Sequence, residues 1–231
     1  SSSSISVTGS LRKSGSNATM SVKGSATGCS YTTDYTFYPD GTVDMKVTFS
    51  PSQSLARIGL GMQFASGFEN VEFYARGPRS NYSDRKTGSY LGRFTTTVDD
   101  MVDELIHPQT FGDHEDLREL ILTNKTEGVQ LGVKVGGRAS FSLSHYDETK
   151  WRTMWSSELG HTMWSTKLHW YDLTRNPQVY AHFDYMQRGL GNNSCGGDQT
   201  LSDYVCPSWG SYTYTLRFKP QSAESVNIVA E

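Results

Sequence analysis

The chain holds 24 Asp and Glu and six His, and the first question is whether any of them are spaced for catalysis. Cleavage of a glycosidic bond by a retaining carboxylate pair needs two side chains about 5 Å apart, flanking the substrate. The densest acidic stretches are Asp99-Asp100 and Asp113-His114-Glu115-Asp116. Neighbours along one loop do not face each other across a ligand, so both stretches read as solvated loop charges. The histidines, His107, His114, His145, His161, His169 and His182, follow neither H-E-x-x-H nor a Cys/His metal spacing. No G-x-S-x-G elbow, P-loop or strand-linked G-x-G-x-x-G occurs. What the chain does offer is a ligand rim. Residues 74–85 read Tyr-Ala-Arg-Gly-Pro-Arg-Ser-Asn-Tyr-Ser-Asp-Arg, and residues 187–198 read Gln-Arg-Gly-Leu-Gly-Asn-Asn-Ser-Cys-Gly-Gly-Asp. Both set Asn, Asp, Arg and Ser beside glycines expected to supply positive φ, the way a rigid sheet presents polar groups to a ligand. Asn192 and Asn193 suit a sugar, because an uncharged amide both donates to and accepts from hydroxyls. Arg85 and Arg118 are expected to brace neighbouring loops through carboxylates such as Asp84 or Asp116.

The elements that carry these loops read as strands. Pro39-Asp40-Gly41 is a strong turn, followed by Val43, Met45, Val47 and Phe49 on one face of an alternating run. Residues 57–64 and 71–74 repeat the period, 117–123 and 129–135 flank a plausible hairpin turn at 124–128, and 139–143, 178–185 and 211–218 complete the set. One helix is expected over 147–155, with an acidic N-cap and Trp151 and Trp155 at i, i+4. The first sixteen residues hold eight Ser, so residues 1–18 read as a Ser-rich leader or edge strand and 19–231 as a single β domain. Low charge, 22 Gly, 7 Pro and abundant β-branched and aromatic residues agree with that class. Many short strands and hardly any helix argue for one large antiparallel sandwich.

Composition also removes partners. A net charge of -3 with no large Lys/Arg cluster leaves no footprint for nucleic acid or an anionic membrane surface. No apolar stretch spans a bilayer and no signal-peptide h-region is seen. Cys29, Cys195 and Cys206 form no C-x-x-C pair and read as reduced thiols; a Cys195–Cys206 bridge requires an oxidising compartment. Five Trp residues suit stacking on sugar rings, although most are expected to be core or sheet-face residues.

Read in order, several motifs resemble the C-terminal domain of the bacterial-type β-galactosidases of glycoside hydrolase family 2. They are Ala56-Arg57-Ile58-Gly59-Leu60, Gly77-Pro78 through Asn81-Tyr82-Ser83-Asp84-Arg85, His107-Pro108-Gln109 through Gly112, Leu117-Arg118 and Ser144-His145-Tyr146. The most specific is Asp184-Tyr185-Met186-Gln187-Arg188-Gly189-Leu190-Gly191-Asn192-Asn193-Ser194-Cys195-Gly196. The resemblance implies a large antiparallel supersandwich, galactose mutarotase-like, packed against a catalytic barrel domain of the same parent chain. It implies a substrate-facing loop of Asn192, Asn193, Ser194 and Cys195, with Asn81, Asp84 and Arg85 shaping its rim, and a β-galactoside or other carbohydrate as ligand. Cys195 falls about where some members carry an aromatic sugar platform, and a thiol offers no ring face for stacking. Nothing resembles the family's barrel or its two catalytic Glu. The chain therefore reads as a fragment without catalytic residues or a cofactor of its own, any Mg or Na belonging to other domains of a bacterial parent, cytoplasmic, periplasmic or secreted. Two alternatives remain: a non-catalytic carbohydrate-binding module using the Trp-rich stretch from Trp151 to Trp170, and a sugar epimerase in which His145 or His182 meets a carboxylate.

Overall fold

A computed structural model describes residues 4–6, 11–26, 28–105, 110–148, 170–191 and 200–222. Among the described residues thirteen strands are formed: β1 (Ser4–Ser6), β2 (Arg12–Ser14), β3 (Asn17–Ala26), β4 (Cys29–Phe37), β5 (Val43–Pro51), β6 (Arg57–Phe64), β7 (Asn70–Gly77), β8 (Tyr90–Thr97), β9 (Glu119–Asn124), β10 (Val129–Gly136), β11 (Ser140–Ser144), β12 (Val179–Gln187) and β13 (Tyr212–Ser222). Every pairing is antiparallel. The large sheet runs β1-β3-β4-β5-β13-β10-β9-β7-β8, with β2 added on β3, and the small sheet runs β11-β12-β6. Short 3-10 turns punctuate the loops at Lys86–Gly88, Asp99–Met101, Trp170–Asp172 and Ser202–Tyr204.

The period-2 pattern explains why two layers form. On β7 the odd-numbered Val71, Phe73 and Ala75 are buried while their neighbours are half-buried, and β5 buries Met45, Val47 and Phe49. Leu120, Leu122, Val133, Tyr214 and Leu216 continue that inner face, and Ile58, Phe141, Leu143, Val179, Ala181 and Phe183 of the small sheet close on it as one core. Burying each such side chain contributes roughly 1.5–3 kcal/mol. Tyr214 ties the layers together by donating its hydroxyl to the Phe183 carbonyl at 2.8 Å. Three strands escape the sequence reading, β2, β3 and β8. None of their residues is buried, so they carry little apolar alternation. The expected helix over 147–155 lies outside the described residues beyond Glu148. The turns at 39–41 and 124–128 form hairpins, β4 on β5 and β9 on β10.

Candidate functional site

The motifs that are far apart in sequence meet at one end of the sandwich. Arg57 opens β6, and its side chain reaches across to the end of β12: Nε lies 2.8 Å from Asp184 Oδ2, Nη1 donates to Glu148 at 3.2 Å and Nη2 donates to Gln187 at 3.2 Å. Asp184 sits at a register irregularity in the β12–β6 pairing, opposite Gly59. A side chain at Gly59 would stand 2.5 Å from the Asp184 Cα, so glycine there is a demand of space. From Gln187 the chain enters the Gly-rich loop, whose exit is held by the 77–85 loop. Ser83 donates to the Gln187 carbonyl at 3.3 Å, and the Asp84 carboxylate accepts the Gly191 N–H at 2.6 Å. On the other side Gly189 N–H bonds the Tyr204 carbonyl at 2.9 Å and Thr200 donates to the Gly189 carbonyl at 3.1 Å.

The glycines of both loops do not serve the purpose expected of them. Among the described residues, neither Gly77, Gly189 nor Gly191 has positive φ. They answer crowding instead: a Cβ on Gly189 would sit 2.7 Å from the Asp84 carboxyl and 2.9 Å from Tyr204. The requirement is tertiary, because both clashing groups come from elsewhere in the chain.

Asn81 is buried, and its amide is spent on the protein. It donates to the Arg76 and Arg79 carbonyls at 3.0 Å each and accepts the Glu115 N–H at 3.0 Å, pinning the 77–85 loop to the 113–116 turn. Asp84 is half-buried behind Gly191, and Arg85 is exposed, lying over the Tyr82 ring at 4.8 Å. The carboxylate partner expected of Arg85 belongs to another residue: Arg76, with Lys86 beside it, pairs with Asp116. Asn192, Asn193, Ser194 and Cys195 lie outside the described residues, as do His107, His161, His169 and the Trp residues between 151 and 164. Cys29 and Cys206 are free thiols; the proposed Cys195 partner falls in the same undescribed stretch.

The 113–116 turn overturns the expectation of solvated charges. Asp113, His114 and Glu115 are all at most 2% exposed. Backbone bonds between His114 and Phe141, at 2.8 and 3.1 Å, stitch this turn to the edge of β11 and carry its side chains indoors. Burial, reinforced by the charges of Asp184 and Glu115, drives the Asp113 carboxyl well above the usual carboxylate range. Burial likewise outweighs Arg57 at Asp184 and pushes it up to about 7. His114 is held neutral by burial. The Asp113 and Asp184 oxygens, Ser140 Oγ and Arg57 Nε are buried without a well-aligned hydrogen bond, and Ser140 stands opposite Asp184 in the β11–β12 register. This is a buried polar platform beneath the loops, and it sets their geometry.

The two histidines considered for isomerase chemistry do find carboxylates. His145 Nε2 lies 2.7 Å from Glu69, and His182 Nε2 lies 3.5 Å from Glu148. Each is in direct contact with its acid, not separated from it by a cleft. Burial first, then Arg57, depresses His182 to about 3, which leaves no proton for acid catalysis near neutrality. Glu69, Asp99 and His145 have the makeup of a metal site, yet the Arg175 guanidinium lies 3.0–3.4 Å from both carboxylates and supplies the positive charge itself. Arg57, Gly59, Arg76, Asp184 and Gln187 stand inside the quoted stretches and Glu148 inside the expected helix, but sequence reading gave none of them this role because nothing in their spacing joins them.

Comparison with known proteins agrees with this assembly of motifs. The family described as "Beta galactosidase small chain" matches residues 2–218. Among characterised relatives, a "Beta-galactosidase" of Staphylococcus xylosus is 33% identical over 175 residues, covering 76% of this chain and 16% of the relative. A "Beta-galactosidase" of Priestia megaterium is 28% identical over 196 residues, covering 80% of this chain and 17% of the relative. The chain thus spans about a sixth of the length of these relatives. Solved structures similar to it include a GalM/aldose epimerase homologue from C. elegans, at 9% identity, 95% of this chain, 68% of that one and a TM-score of 0.42. A galactose mutarotase-like protein from Lactobacillus casei follows at 14% identity, 92%, 73% and 0.39. The family match runs through both rim loops and nearly the whole sandwich, and the chain belongs to the β-galactosidase small-chain family.

Proposed function

We propose that this chain is the C-terminal supersandwich domain of a β-galactosidase that hydrolyses terminal β-D-galactosides. It completes the wall of an active site whose two catalytic Glu reside in a barrel domain of the parent. The observation that carries this reading is the clamp of the 77–85 loop on the Gly-rich loop, through Asp84 on Gly191 and Ser83 on Gln187. Such a clamp is what a loop needs if Asn192, Asn193, Ser194 and Cys195 are to face a substrate from a fixed backbone. Asn81 and Asp84 act as braces in this reading, and Arg85 shapes the rim. The chain needs no cofactor for that role; any Mg or Na of the parent belongs to its other domains.

The test is hydrolysis of a nitrophenyl β-galactoside. Asn192→Ala with Asn193→Ala in the parent enzyme is expected to raise KM by about tenfold, the loss of one or two hydrogen bonds to sugar hydroxyls. An unchanged KM would remove this loop from the substrate. The isolated 231-residue chain is expected to leave the galactoside intact, and hydrolysis at an enzyme-like rate would overturn the reading.

A further inference from the structure

The 77–85 loop has two sides. One clamps the Gly-rich loop; the other bounds a cavity of about 780 Å³ closed on its far side by residues 100–105. That volume lies within the range of small-ligand sites. The near lip carries Arg79 and Arg85, and the far lip carries Asp100, Asp103 and Glu104, with one Asp100 oxygen accepting from the Thr97 hydroxyl at 2.7 Å. Among the described residues Arg79 and Glu104 make no side-chain hydrogen bond or ion pair, and each is exposed. Arg85 is oriented by the Tyr82 ring at 4.8 Å and reaches Ser80 only at 3.4 Å. Asp103 gives one carboxylate oxygen to the Gly112 N–H at 3.1 Å and keeps the other. Pro78 and Leu105 add apolar surface.

We propose that this cavity is a second saccharide site, taking the distal sugars of an extended galactoside; the proposal rests on the galactoside reading above. Charge decides the ligand class. Two guanidinium groups share the cavity with three carboxylates, Asp100, Asp103 and Glu104, so it is no trap for an anion. Guanidinium N–H groups donate in pairs to adjacent hydroxyl oxygens, and carboxylates accept from hydroxyls, which together match a ring of vicinal hydroxyls. The apolar surface of Pro78 and Leu105 suits a sugar's C–H face. Position supplies the link to chain length. Arg85 follows Asp84 directly, and Asp84 holds Gly191, the residue before the substrate-facing loop.

The experiment is calorimetric titration of the 231-residue chain with galactose, lactose, a β-linked galactotetraose and cellotetraose. The galactotetraose is expected to bind about tenfold more tightly than galactose, and Arg79→Ala with Glu104→Gln to abolish that gain in a protein whose circular dichroism is unchanged. Tetraose binding unaffected by the double variant, or no gain with length in the wild-type chain, would overturn the cavity site while leaving the KM test of the Asn192 loop standing. Equal affinity for cellotetraose would overturn the galactoside class instead, and an outright loss of KM dependence on Asn192 would do the same from the other direction.

Discussion

Two parts of this molecule use the same ion-pair chemistry under opposite conditions. On the outer face of the large sheet, one register row runs Thr36, Asp44, Arg217, Lys134, Glu119, Tyr74, Arg93 across β4, β5, β13, β10, β9, β7 and β8. Its members pair in turn: Arg217 forks onto Asp44 at 2.6 Å twice, Lys134 meets Glu119 at 3.2 Å, and Arg93 meets Glu119 at 2.7 Å while stacking over Tyr74. At the end of the sandwich, Arg57 meets Asp184 at a similar distance but with the carboxyl wholly buried. Geometry is nearly equal and energy is not. Water screens the outer row and replaces any partner that is lost, whereas the platform under the loops cannot be rescued by solvent. The outer ladder therefore describes a solvated face; the inner network fixes which backbone reaches the rim.

Three substitutions test that contrast. Arg57→Met removes the cation beside the wholly buried Asp184 and is expected to cost about 3–5 kcal/mol in denaturant unfolding, with a loosened Gly-rich loop in hydrogen exchange. A loss as small as that of a surface pair would mean that the platform is wetter than its burial implies.

Asp113→Asn has a smaller effect, of opposite sign. Asp113 and Asp184 both bind their protons more tightly folded than unfolded, so the native state holds the extra proton above the ordinary carboxylate value of 3.8. The contribution of these two groups to stability is therefore fully present below that value and is lost as pH rises above it, up to about 7 for Asp184. Asparagine imitates the protonated acid, so the variant should gain about 1 kcal/mol at pH 7, roughly 3 °C in Tm, and flatten the pH profile. A steeper profile or a drop in Tm would show that Asp113 is charged and usefully paired.

Arg217→Ala should do least. The Asp44 fork is largely exposed, so the midpoint should barely move and the small change should vanish in high salt. A shift matching that of Arg57→Met would erase the distinction between the two regions.

Much of the sandwich was legible in the chain itself. Val43, Met45, Val47 and Phe49, the turn at Pro39-Asp40-Gly41 and the final alternating strand announce their conformation locally, because period-2 burial and turn chemistry are properties of neighbouring residues. The ordered motifs also carried the family. The polar site was less legible. Asp113-His114-Glu115-Asp116 has the composition of a surface loop, and only its pairing with β11 carries it indoors. Gly189 has the composition of a flexible hinge, and only Asp84, over a hundred positions earlier, together with Tyr204, explains why nothing larger fits. Sequence by itself determined the strands with a clear period-2 pattern, the sandwich class and the kinship. The tertiary structure decided which charges are buried, which glycines are crowded and which loops are clamped, because each of these depends on atoms brought together from distant parts of the chain and leaves no local periodicity behind.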